Sequence, residues 1–240
     1  MNGEQEQSGR EGMTLLGMAP VRGRWILIAL GLAINLALGS IYAWSAFIGP
    51  VTAHFRAIGE PVSATGALLP FSLFLATFAV AMPLSGRFIG TLGPRRMTII
   101  GGILTGTGWL LASFAPSPAA LALAFGLVGG TGVGITYGVP VTLAARWFPD
   151  RRGMALGLTL LGFGISALLT GSVAGLLLGL YGLIHTFRIF GMAFLLLIPL
   201  LALPLSLPPP GWTPAGWTPP AGMAGPAVYR ECSRGEMVRT

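Results

Sequence analysis

The side chains of this sequence that could do chemistry are few and nearly all uncharged. Its apolar stretches contain Asn35, Ser40, Tyr42, Trp44 and Ser45 near the start, and Thr131, Thr136 and Tyr137 in the middle; none contains Asp, Glu or Lys. Hydroxyls and an amide can hydrogen-bond an oxyanion, and aromatic rings can wall a narrow path. General acid–base work or covalent catalysis needs paired ionisable groups or a nucleophile with its base, and no such pair occurs. The sequence therefore predicts neither an enzyme nor a resident metal or cofactor. His54 and His185 fall in connecting segments, the ordinary place of solvated histidines, and Arg188 starts the last apolar stretch, where it can snorkel to an interface. Gly162-Phe163-Gly164-Ile165-Ser166-Ala167 fits the letters of a dinucleotide fingerprint, but it lies inside an apolar run without the preceding strand that such a site requires.

The elements that must position these groups are apolar stretches near 25–47, 62–84, 97–115, 119–146, 154–180 and 186–206. At a rise of about 1.5 Å per residue, each can cross a hydrocarbon core roughly 30 Å thick, and lipid leaves only helices able to satisfy the backbone. The fold expected is an all-α membrane protein of six transmembrane helices. Composition agrees, with 53% hydrophobic and 9% charged residues, where soluble domains carry about 25% charged. The net charge of +7 comes from arginines alone. Arg10, Arg22, Arg24, Arg87, Arg95, Arg96, Arg146, Arg151, Arg152, Arg230, Arg234 and Arg239 fall on one side of the spans, with Arg56 and Arg188 on the other. That asymmetry follows membrane topology, not nucleic acid, and predicts a multi-pass protein of the cell membrane with both termini cytoplasmic. The single cysteine, Cys232, sits in the polar tail and cannot make an internal disulfide.

Punctuation divides the chain into a leader at 1–23, a bundle at 24–207 and a Pro/Trp-rich segment at 208–240. Pro50 and Pro61 bracket the first connection, Pro116 and Pro118 make a turn, and Asp150 is placed to cap the fifth helix. Gly126, Gly130, Gly134 and Gly138 recur every fourth residue, so they share a helix face that admits another helix closely, as static packing or as a sliding contact. Gly153, Gly157, Gly171, Gly175 and Gly179 repeat the device in the fifth span. After Pro208-Pro209-Pro210, the motif Gly-Trp-Thr-Pro occurs at 211–214 and again at 216–219, which predicts an extended linker with interfacial tryptophans.

Gly39-Ser40-Ile41-Tyr42-Ala43-Trp44-Ser45, Tyr137-Gly138-Val139-Pro140 and Arg146-Trp147-Phe148-Pro149-Asp150-Arg151-Arg152-Gly153, with the Pro-Pro-Pro-Gly-Trp linker, resemble the oxalate/formate antiporter family of the major facilitator superfamily. Gly86 to Arg96 resembles the superfamily's loop between helices two and three, with Gly93-Pro94-Arg95-Arg96 in the family form and Gly90 where the pattern carries an aspartate. The resemblance implies one six-helix half of a twelve-helix exchanger, stopping short of a seventh helix, whose halves rock around a substrate held at the midplane. It implies that Tyr42 and Tyr137, with Asn35 and Trp44, line the substrate cavity. It also implies that Gly86, Gly93, Arg95, Arg96, Arg146, Asp150, Arg151 and Arg152 belong to the gating loops. The partners implied are a small organic anion, the lipid bilayer and a missing or separately encoded second half. A half-transporter subunit pairing with such a half, and a passive small-solute channel, remain the competing readings.

Overall fold

In a computed structural model of the chain, residues 20–209, 212–214 and 217 are described; the leader, Cys232 and the tail arginines lie outside them. Among the described residues the structure is helical: α1 (Pro20–Ala46), α2 (Ile48–Ala57), α3 (Gly66–Gly86), α4 (Ile89–Leu92), α5 (Pro94–Ala112), α6 (Pro118–Trp147) and α7 (Arg152–Ala202). Helices α1, α3, α6 and α7 are each long and apolar enough to cross a membrane. The α7 helix is two arms: Gly182, at φ 73° and ψ 179°, breaks it, a conformation that a side chain would strain. Helix α5 is less apolar because glycines and threonines replace bulk along it, and the flanking helices cover that face. The six expected spans are thus α1, α3, α5, α6 and the two arms of α7.

Close approaches fix the direction of each rod. Between α1 and the first arm of α7, Gly31 faces Thr159 and Gly39 faces Ser166, so these two run parallel. Between α6 and α3, Gly126 faces Leu73, Gly130 faces Thr77 and Gly134 faces Ala81, again parallel. In contrast, Gly101 of α5 faces Thr136 while Gly108 faces Gly129, and Gly102 faces Ile198 while Gly106 faces Leu195. Helix α5 is therefore antiparallel to α6 and to the second arm of α7. With Arg24 of α1 on the Trp147 carbonyl and Gly31 against Pro140, α1 is antiparallel to α6, and the six rods alternate in direction. The start of α1 and the end of α7 consequently lie at the same end of the bundle, together with Arg87, Arg95, Arg96, Arg146, Arg151 and Arg152.

The seams replace a hydrophobic force that lipid does not supply between helices. A Cβ on Gly134 would come within 2.6 Å of the Ala81 Cβ, one on Gly108 within 2.6 Å of the Gly129 amide, and one on Gly106 within 2.6 Å of the Leu195 amide. Hydroxyls add bonds across them: Ser166 Oγ donates to the Leu36 carbonyl at 2.6 Å, Thr77 Oγ1 to the Gly126 carbonyl at 2.8 Å and Ser85 Oγ to the Gly134 carbonyl at 3.2 Å. At the end opposite that arginine cluster, Trp44, Phe47, Trp109, Phe125 and Phe187 stack into a buried aromatic core, with 4.4 Å between the Trp44 and Phe125 centroids.

Several expectations are corrected. Gly153, Gly157, Gly171, Gly175 and Gly179 face open space, and Gly162 carries the seam, pressed against the Leu32 carbonyl of α1. Gly138 likewise lies outside the tight stripe: an added Cβ would meet nothing nearer than Ile89 Cδ1 at 3.8 Å. Pro50 does not open a loop but is the third residue of α2, where a missing N–H costs nothing. The turn at Pro116–Pro118 holds, with Ser117 Oγ accepting the Ala120 amide at 3.2 Å.

Gly134→Ala should lower the melting temperature in detergent by several degrees, because overpacking costs about 1–3 kcal/mol, whereas Gly175→Ala, with open space around it, should leave it unchanged or raise it, since mid-helix Gly costs about 0.5–1 kcal/mol relative to Ala. Fluorescence-detected gel filtration after heating separates the two.

Candidate functional site: an aromatic layer and a charged clasp

Two seams deliver the aromatic residues of the site. Gly39 brings α1 against the Phe163 carbonyl and Ser166 of α7, and Tyr42, one turn later, lies edge-on to the Phe163 ring at 5.3 Å. Gly134 brings α6 against the Phe78 carbonyl of α3, and Tyr137, again one turn later, lies edge-on to Phe78 at 5.4 Å and to Phe163 at 4.9 Å. Residues three apart share a helix face, so each glycine sets where its tyrosine stands. Phe78 and Phe163 are 6.2 Å apart and complete a layer drawn from α1, α3, α6 and α7. Tyr42 is 45% exposed and Tyr137 half-buried, and neither hydroxyl hydrogen-bonds within the described residues. The layer thus offers two phenolic donors beside apolar rings, with no cation at its depth among the described residues.

The other two expected lining residues stand elsewhere. Trp44 is buried in the aromatic core, and its indole Nε1 donates to the Ala67 carbonyl at 3.0 Å, so the N–H that might have faced a cavity is already used. Asn35 is fully buried between α1 and α7. Its Nδ2 donates to the Thr159 carbonyl at 2.9 Å, and its Oδ1 has no partner within the described residues. Phe78 and Phe163 were not singled out by the sequence. The signal for Phe163 was its place between Gly162 and Gly164, which leaves its ring projecting from a narrow stretch of helix.

At the arginine-bearing end, Arg24 is 5% exposed and forms a two-toothed ion pair with Asp150, its two terminal nitrogens at 2.6 and 3.0 Å from the two carboxylate oxygens. One of those nitrogens also donates to the Trp147 carbonyl at 3.2 Å, satisfying an open carbonyl at the end of α6 where the helix dipole favours a cation. The guanidinium lies 4.3 Å from the Phe148 ring centroid, and Trp25 abuts the same ring at 5.0 Å. Trp147 in turn donates from Nε1 to the Ser206 carbonyl at 2.8 Å. The clasp therefore ties the start of α1, the end of α6 and the chain after α7. Burial pushes the Asp150 carboxyl up, but the Arg24 hydrogen bonds and charge outweigh it and hold the group below the usual carboxylate range.

Asp150 consequently does not cap the following helix as expected: Arg151 occupies the cap position and no side chain bonds there. A charge-assisted, two-toothed bond outcompetes a single bond to a backbone N–H. Of the other expected gating residues, Arg151 adds to the charge that holds the Asp150 carboxyl low. Arg95, Arg96, Arg151 and Arg152 are exposed, Arg146 is half-buried in the last turn of α6, and Gly86 and Gly90 have no neighbour against an added Cβ. Gly93, at φ 80°, makes the turn into α5 that a side chain would strain. Arg87 donates to the Leu84 carbonyl at 3.2 Å and lies 5.8 Å over Phe88.

Six alternating rods with glycine seams pairing α1 to α7 and α6 to α3 make a relation that a shift of three spans maps onto itself. The family model of the Major Facilitator Superfamily matches residues 15–235. The chain belongs to the Major Facilitator Superfamily. That superfamily consists of transporters built from such three-plus-three inverted repeats, and the expected resemblance to its oxalate/formate antiporters, first half, holds. The chain is 32% identical over 146 residues to the oxalate:formate antiporter of Oxalobacter formigenes, which covers 60% of the chain and 34% of that protein. It is 30% identical over 177 residues to the uncharacterized MFS-type transporter YhjX of Escherichia coli K12, covering 74% of the chain and 43% of the relative. It is 31% identical over 149 residues to monocarboxylate transporter 9 of Rattus norvegicus, covering 62% and 27%. The matched region thus spans well under half the length of these curated relatives. As a member of a transporter superfamily, the chain is a multi-pass membrane protein.

Because the folded carboxyl of Asp150 is held low, the clasp contributes stability above the unfolded value, about pH 3.9, and loses it as pH falls through the folded value. Asp150→Asn should therefore destabilise at neutral pH by about 3 kcal/mol, and its difference from the unaltered protein should narrow as pH falls below about 3.9. Chemical unfolding in detergent from neutral pH down to about pH 3 checks both.

Proposed function

We propose that this six-helix unit is the N-terminal lobe of a secondary transporter that exchanges small organic anions, of oxalate/formate or monocarboxylate type, by alternating access in the cell membrane, both termini being cytoplasmic. The layer of Tyr42, Phe78, Tyr137 and Phe163 carries this reading: it is built by the four rods α1, α3, α6 and the first arm of α7, and it leaves two hydroxyl donors without protein partners. Those donors suit the oxygens of a carboxylate, and the rings suit its short carbon frame. The relatives named for oxalate:formate exchange and for monocarboxylate transport support the substrate class.

Charge indicates how the lobe is used. Two hydrogen bonds from phenols to a carboxylate contribute about 1.5–3 kcal/mol each and leave its charge unpaired, against an idealised cost on the order of 20 kcal/mol for taking an anion out of water. With no cation at the depth of the layer among the described residues, the counter-charge comes from a second lobe, either continuous with this one or separately encoded, facing the aromatic layer. The lobe then contributes shape and hydroxyl contacts, and rocking against the partner exposes them to each side in turn.

Reconstituted in vesicles with a complementary six-helix half, the protein should show saturable oxalate uptake stimulated by internal formate, while the chain alone stays at background. Exchange by the chain alone, or flux without saturation or trans-stimulation as in a channel, would contradict the reading. Tyr137→Phe, which removes one donor and keeps the ring, should lower exchange about tenfold, as expected for one hydrogen bond to a charged group.

A further inference from the structure

The charged clasp has a fourth side that neither ion pairing nor the transport reading uses. Arg24, stacked on Phe148, and Trp147 form a box with one cationic and one aromatic wall, and the indole of Trp212, from the segment after α7, sits against both. The Trp147 and Trp212 rings meet edge-on at 4.8 Å, and the Arg24 guanidinium lies 6.0 Å from the Trp212 centroid while stacking on Phe148 at 4.3 Å. The Trp147 N–H is spent on the Ser206 carbonyl, which fixes that indole's edge and brings the departing chain alongside the box. Trp212 itself is half-buried and packed against the bundle core, and its amide closes a turn on the Pro209 carbonyl at 3.1 Å. Trp217, in the second copy of the tetrapeptide, closes the same kind of turn on Pro214 at 3.2 Å but has no ring partner within the described residues.

We propose that the arginine-bearing end of the bundle carries an indole-binding box whose occupant is Trp212 of the chain's own linker, and that the box holds its occupant only while Arg24 and Asp150 are paired. The pair orients the guanidinium plane that forms one wall. Losing the carboxylate frees Arg24 to swing toward water, and Trp212 then loses its cationic wall, keeping only the Trp147 edge that Ser206 fixes. The consequence is a change in tether length. With Trp212 seated, the chain after α7 is held against the bundle as far as that indole; with it released, a segment of that length extends roughly 20 Å at about 3.1 Å per residue. Whatever follows the linker is thus held close when the clasp is shut and paid out when it opens. This inference rests on the geometry of the clasp and is independent of which solute the lobe handles.

The test uses the full chain in lipid nanodiscs with 5-fluorotryptophan at its six tryptophans, the fluorine resonances being assigned by Trp→Phe variants. Trp44 and Trp109, buried in the aromatic core, report folding. Asp150→Asn should move the Trp212 resonance to the position of a solvated indole and make it sensitive to a water-soluble paramagnetic agent, with Trp44 and Trp109 unmoved. A Trp212 resonance that stays in place while the core is intact, or that is already solvated in the unaltered protein, overturns the proposal. So does a Trp147 resonance that responds to Trp217→Phe and not to Trp212→Phe, since the occupant would then be Trp217. If Asp150→Asn disturbs the core resonances, Arg24→Lys, which keeps the charge but loses the planar fork, is judged by the same outcomes.

Discussion

Everything in this lobe depends on helix backbones coming into contact where side chains have been removed. Lipid is as apolar as leucine, so burying leucine between helices gains little. What holds such rods together is close packing and hydrogen bonding made possible by small residues. Gly134, Gly108 and Gly106 each leave no room for a Cβ, and the hydroxyls of Thr77, Ser85 and Ser166 bond carbonyls across the resulting contacts. The seams set direction as well as distance, and six alternating rods are their sum.

The same seams create the candidate site. Gly39 and Gly134 occupy equivalent places, one in the α1–α7 contact and one in the α6–α3 contact, and each is followed by a tyrosine one turn later. The aromatic layer is therefore a geometric by-product of two matched contacts, and its position is as rigid as they are. The opposite end of the bundle is filled by Trp44, Trp109 and their phenylalanine neighbours, leaving polarity to the layer and charge to the clasp.

How legible this was in the sequence follows from what each signal encodes. Hydropathy reports lipid contact directly, so the spans were evident, although a hairpin made by Gly182 alone is shorter than the expected connection. Glycine spacing reports a face but not its partner. Gly126, Gly130 and Gly134 meet α3, whereas Gly171, Gly175 and Gly179, at identical spacing, meet nothing. Tyr137 drew attention because a hydroxyl at depth is conspicuous. Phe78 and Phe163 were not, because a phenylalanine in an apolar span is ordinary until its neighbours are known. Trp44 was misplaced because its indole N–H is satisfied by a carbonyl twenty-three residues away. Arg24 was overlooked as a buried charge because counting arginines by side already explains it, and only tertiary structure brings Asp150 to it.

The central claim is six rods of alternating direction with both bundle termini at one face. Labelling of single cysteines in sealed vesicles by a membrane-impermeant maleimide, in a Cys232→Ser background, tests it most directly. Cysteines replacing the exposed Arg87 and Arg151 should react from one face, and those replacing the exposed Arg56 and Arg188 only from the other. Reaction of position 56 from the same face as position 87 would contradict the account.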